Sequence, residues 1–189
     1  MVKFGEGIKS FEKQLGDGEV FEHYLVEMIN EKTDFKAIKI PFVNFMKDEY
    51  ITSLYKRFNH VDIAIYRTKE SDVETEEPIL LIDCKIQCRT FMKAKEYVNI
   101  EPEKCVIVNK EAIEWYRRNE IPTLLAVYMA NGLTEEGLYV GNVRNLTERL
   151  FKVNSGFVSA GNLKANLTTD EMYFYKKIDE FVELLKSKD

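Results

Sequence analysis

Residues 78–88, Pro-Ile-Leu-Leu-Ile-Asp-Cys-Lys-Ile-Gln-Cys, constrain this chain more than any other stretch. A short apolar run of this kind predicts a buried β-strand. Side chains on a strand alternate between faces. Asp83, Lys85 and Gln87 therefore share one face, and Ile82, Cys84 and Ile86 share the other. Polar groups buried without partners are costly, so the polar face needs something to act upon.

The neighbouring segment supplies a partner. Residues 60–67, His-Val-Asp-Ile-Ala-Ile-Tyr-Arg, read as a second strand, and the acidic stretch 68–77 as the loop between the two. In a hairpin that closes symmetrically, paired residues have a constant index sum. A loop centred between Asp72 and Val73 makes that sum 145, which sets Asp62 opposite Asp83 and His60 opposite Lys85. Directly paired residues have Cβ atoms about 4.5–5.5 Å apart, and like charges at that separation repel. A divalent cation relieves the repulsion, since hard cations prefer carboxylate oxygens. Lys85 adds an ammonium one same-face position away. A register slip of one residue would send Asp62 to the opposite face.

The remaining elements predict a mixed α/β architecture. Residues 18–31 read as a helix with an apolar stripe of Val20, Tyr24, Leu25 and Met28. Residues 35–42 alternate as a strand, and 43–58 are ambiguous. A helix over about 90–98, with Thr90 as its cap, precedes a strand at 104–108. Asn109 is the expected cap of a helix at 110–119. Strands follow at 123–130 and 138–144, separated by an Asn131-Gly132 turn. A final helix is expected at 169–187, with Tyr175, Ile178, Val182 and Leu185 docked on the core or serving a dimer contact. Adjacent early strands imply an antiparallel start, and later helices between strands imply parallel crossovers. The expected organisation is an α/β domain over 1–150 and a C-terminal helical extension, 151–189, packed upon it.

The element order and polar positions together resemble the PD-(D/E)xK nuclease superfamily, which includes restriction endonucleases and Holliday junction resolvases. The matching residues are Asp62, then Asp83-Cys84-Lys85 after the hairpin loop, with a glutamate on the preceding helix. Glu22 matches best, and Glu19 lies one turn earlier. The resemblance covers roughly 15 to 130, and Val61 stands where the pattern often has proline. It implies a restriction-endonuclease-like mixed sheet with an αβββαβ core flanked by helices. It also implies that Asp62, Asp83 and the Cys84 carbonyl bind Mg²⁺ or Mn²⁺, with Glu22 direct or through water. Lys85 would orient or deprotonate the attacking water, and Gln87 would support the lysine or the phosphate. Phosphodiester hydrolysis in DNA would follow, cutting internal bonds more readily than ends, with the choice between DNA and RNA left open. Metal Lewis acidity and the lysine's charge suit that chemistry. A homodimer would fit a resolvase-like member.

Composition frames these expectations. The 189 residues are 45% hydrophobic and 12% aromatic, which favours a packed core over disorder. No apolar run reaches membrane-spanning length and the start lacks a signal-peptide pattern, so a cytoplasmic protein with no membrane partner is expected. The net charge of −5 counts against a dedicated nucleic-acid binder. Five acids between Glu70 and Glu77 account for it, while Arg117-Arg118 follow Trp115 and Tyr116 on one helix, a mixture that binds nucleic acid in other settings. The three cysteines read as core thiols, short of the four an iron–sulfur cluster takes. A catalytically inert module binding nucleic acid or protein on the same fold is the main alternative. A phospho-receiver ranks lower, because no acidic pair follows the first strand.

Overall fold

The structure, a computed structural model, describes residues 18–40, 57–87, 91–129, 136–150 and 164–186. Helix α1 (Gly18–Lys32) buries Phe21, Leu25, Met28 and Ile29, the spacing of one helical face. Val20 and Tyr24, expected in that stripe, are only half-buried. The buried face is thus turned by about one residue, and Glu22 stands at its margin. In the last turn of α1, the Asn30 side chain hydrogen-bonds both backbone groups of Ala37: it donates to the carbonyl at 2.9 Å and accepts the N–H at 2.8 Å.

Strands β1 (Lys36–Lys39), β2 (Ile63–Tyr66) and β3 (Leu80–Gln87) run antiparallel to one another. The chain then forms α2 (Ala94–Val98), β4 (Cys105–Asn109) and α3 (Lys110–Arg118) before β5 (Thr123–Met129), which lies parallel to β3. Strand β6 (Gly137–Asn142) is antiparallel to β5. Beyond β7 (Arg149–Leu150) and β8 (Lys164–Thr168), β9 (Tyr173–Tyr175) closes the six-stranded order β1-β2-β3-β5-β6-β9. The chain is a mixed α/β fold ending in helix α4 (Ile178–Lys186).

Several expectations need correction. The strand expected at 104–108 is β4, which lies outside the six-stranded sheet and pairs with β8 in a separate three-stranded one. Residues 169–187 are not one helix. They form a 3₁₀ turn at Thr169–Glu171, strand β9 and then α4. Tyr175 therefore sits on a strand, while Ile178 and Val182 are buried on the helix. Residues 164–186 do not stand apart, because β8 and β9 pair with β4 and β6. Asn109 precedes α3 without capping it through its side chain, which instead accepts a hydrogen bond from Lys164. The Thr90 cap, the stretch at 41–56, Cys88 and the Asn131-Gly132 turn lie outside the described residues.

The sheet separates two apolar layers. On one face, Ile63, Ile65, Ile82 and Cys84 pack against Phe21, Leu25 and Ile29 of α1 and Phe181 and Val182 of α4. On the other, Ala64, Tyr66, Leu81, Leu125 and Val127 meet Ile113 and Tyr116 of α3 and Val106 and Leu167 of the small sheet. The face bearing Asp83 is therefore covered by α3, and the face bearing Cys84 by α1 and α4.

Candidate functional site

The β2–β3 pairs are Ile63 with Ile82, Ala64 with Leu81 and Ile65 with Leu80, each adding to the expected 145. Asp62 and Asp83 would be the next pair in that register, but regular pairing stops short of them. The Asp62 N–H donates to the Ile82 carbonyl at 3.0 Å, and Asp62 Oδ2 accepts the Cys84 N–H at 2.7 Å. Where β2 ends, the Asp62 carboxylate takes over the role of a strand backbone toward β3.

Asp83 is 1% exposed. Its Oδ1 accepts from Lys85 Nζ at 2.6 Å, and the same amine reaches the Cys84 carbonyl at 3.3 Å. Its Oδ2 is buried with no hydrogen-bond partner. The Tyr116 hydroxyl lies close to this carboxylate, but its proton goes to the His60 carbonyl at 2.6 Å. Burial pushes the Asp83 carboxyl up to about 7; Lys85 opposes that shift and nearby Asp62 adds to it. Burial alone would lower the Lys85 pKa, but Asp83 and Asp62 together raise it. Burial and the surrounding carboxylates hold the Cys84 thiol well above its ordinary value, in its protonated form.

Glu22 approaches from α1. Burial raises its pKa, and the charge on Asp62 raises it further. Lys39, at the end of β1, pairs with Glu22 at 3.0 Å and lies 3.9 Å from Glu19. The Glu22 side chain is 15% exposed and that of Glu19 68%, so Glu22 is the helix carboxylate that reaches the site. The carboxylates form a chain, Glu22 beside Asp62 and Asp62 beside Asp83, flanked by Lys39 and Lys85. Among the described residues, no three His, Cys, Asp or Glu side chains converge closely enough to share one ion.

The chain matches no family model, no curated protein and no solved structure.

Of the site residues read from sequence, Asp62 meets the Cys84 backbone, Lys85 pairs with Asp83, and Glu22 is near enough to Asp62 for its charge to act. Gln87 does not join them: its amide donates to the Cys105 carbonyl at 2.6 Å and ties β3 to β4. His60 does not pair with Lys85 either. It lies in a turn, its ring centroid 5.5 Å from that of Trp115. Two contributors were missed, Lys39 and the Tyr116 hydroxyl. The long connection between β1 and β2 gives no register from which Lys39 could be placed. Tyr116 does carry a signal, because a buried tyrosine at helical spacing from Ile113 must find a partner for its hydroxyl.

Chemically, the arrangement offers hard oxygens beside an ammonium group. The unpartnered Asp83 oxygen, the second Asp62 oxygen and the Cys84 carbonyl are donors suited to Mg²⁺ or Mn²⁺. No helix among the described residues is long and apolar enough to cross a membrane.

Proposed function

We propose that this chain is a metal-dependent nuclease that hydrolyses phosphodiester bonds in DNA on a restriction-endonuclease-like αβββαβ core. The observation that carries the reading is the meeting of Asp62, Asp83 and Lys85 at the end of β2 and the middle of β3. The order α1, β1, β2, β3, α3, β5, with β5 parallel to β3, supports the fold assignment.

Asp62, Asp83 and the Cys84 carbonyl would hold Mg²⁺ or Mn²⁺, with Glu22 as a further carboxylate. The ion would supply Lewis acidity at the phosphate and lower the pKa of a bound water. Lys85, which pairs with Asp83, would orient the attacking water and offset the charge that develops on the phosphoryl oxygens. Lys39 balances Glu22 in the same way.

The test uses purified protein with Mn²⁺ or Mg²⁺ and a panel of duplex, single-stranded and branched DNA. At least one substrate should be cut, and Asp83→Ala or Lys85→Ala should abolish cutting. Activity equal to the parent in both variants would place the chemistry elsewhere.

A second reading is a catalytically inert module on the same fold. The ion pairs that already neutralise Glu22 and Asp83 favour it. Calorimetric titration with Mn²⁺ separates the two, since an inert module gives no saturable heat that depends on Asp62 and Asp83.

A further inference from the structure

A groove of about 900 Å³ opens between the start of β3, the end of β2 and the end of α3. Arg57, Arg67 and Arg118 line it with Trp115, and Glu77 and Glu120 stand at its wall. Arg57 is ion-paired with Glu77, which leaves Arg67 and Arg118 as the groove's available guanidiniums against Glu120. The Arg118 side chain is 81% exposed, and its contact with Glu114 is 3.6 Å long. Exposed pairs of that kind hold their partners weakly. Arg67 is exposed and makes no ion pair or hydrogen bond among the described residues.

This groove is not the carboxylate site. Its lining ends at Ile79, four residues before Asp83, or about 13 Å along a strand. The two are joined through α3. Tyr116 faces Asp83, while its neighbour Trp115 lines the groove and packs on the His60 ring.

We propose that the groove binds a single strand of nucleic acid, its phosphates on Arg67 and Arg118 and a base against Trp115. Guanidiniums recognise phosphate oxygens through paired N–H donors, and an aromatic face stacks on any base. The volume is that of a small-ligand site, enough for a few nucleotides of one strand and too small for a duplex. The proposal rests on the nuclease reading for its substrate class, and it names the part of that substrate held away from the reacting bond.

Trp115 is the single tryptophan of the chain, so intrinsic fluorescence reports on this groove alone. The experiment titrates an oligo(dT) of about ten nucleotides, the site size of small single-strand binders, into the full chain in EDTA. The expected result is a saturable change in Trp115 emission. Arg67→Glu should weaken binding about tenfold, and Arg67→Gln less, with the salt slope falling by about one for each arginine removed. An unchanged affinity in Arg67→Glu and Arg118→Glu, both checked for folding by circular dichroism, overturns the proposal. So does an equal response to thymidine monophosphate, or tighter binding of a duplex of the same length. If Arg118→Glu misfolds, Arg67→Gln alone decides through its salt slope. Metal-dependent cutting is scored separately with Asp83→Ala. Cutting that survives an absent groove leaves the nuclease reading intact, and a groove that binds without any cutting leaves the groove intact.

Discussion

The Asp62 carboxylate accepts the backbone N–H of Cys84 at 2.7 Å, just where β2 stops pairing with β3. One side chain thus has two duties, one shown and one proposed: it completes the hydrogen bonding of β3, and its other oxygen is the proposed metal ligand. The two duties are separable. Asp62→Asn keeps an acceptor for the N–H and should fold with nearly parental stability. Asp62→Ala leaves that N–H without a partner and should cost about 1–3 kcal/mol in urea unfolding. Both variants should lose Mn²⁺ binding, and a stable Asp62→Asn that still binds Mn²⁺ normally would remove Asp62 from the ligand set.

The raised Asp83 carboxyl predicts an unusual pH profile for the metal-free protein. A group whose folded pKa lies above its unfolded value binds more protons in the fold, so its contribution is full below the unfolded pKa and is lost as pH rises through the folded one. Asp83 rises from 3.8 to about 7. Stability should therefore fall between about pH 4 and pH 7, by an amount on the order of 4 kcal/mol for a shift of this size. Asp83→Asn should flatten the decline, and saturating Mn²⁺ should offset it. Urea melts across that range, with and without the ion, provide the check.

Lys39 competes for Glu22. If the glutamate serves as a ligand, freeing it from the 3.0 Å ion pair should strengthen Mn²⁺ binding. Lys39→Gln is expected to tighten the ion by about three- to tenfold, the worth of one partly buried charge contact. The combination with Glu22→Gln should return affinity to or below the parental value. A Lys39→Gln effect that persists without Glu22 would show that only overall charge matters.

Tyr116 holds the turn before β2 through its bond to the His60 carbonyl. Tyr116→Phe removes that bond and should cost about 1 kcal/mol. It also removes a hydroxyl that lowers the Asp83 pKa, so the pH at which Mn²⁺ binding reaches half its maximum should move upward. Paired denaturation and pH-dependent calorimetry test the two effects independently.

Much of this site was legible because its geometry is local. A short hairpin whose strands alternate strictly fixes its own register, and the pairs from Ile63–Ile82 to Ile65–Leu80 follow from it. The β1–β2 connection fixes nothing comparable, which is why Lys39 escaped notice. At the C-terminal end the difficulty was different. Tyr173, Phe174 and Tyr175 continue a run whose apolar residues also fit helical spacing, and only pairing with β6 makes them a strand. Strand β8, Lys-Ala-Asn-Leu-Thr, carries no clear alternation, and its buried Asn166 is satisfied by contacts with Arg149 and Cys105 that no local pattern announces.

The bond pair between Asn30 and Ala37 has a consequence for how copies of this chain meet. Strand β1 lies at the border of the six-stranded sheet, where free peptide groups invite pairing with another molecule. At Ala37 the asparagine amide mimics a neighbouring peptide unit and takes up both groups. The helix thereby occupies that border at Ala37, and an Asn30→Ala chain would trade a small loss of stability for a greater tendency to self-associate.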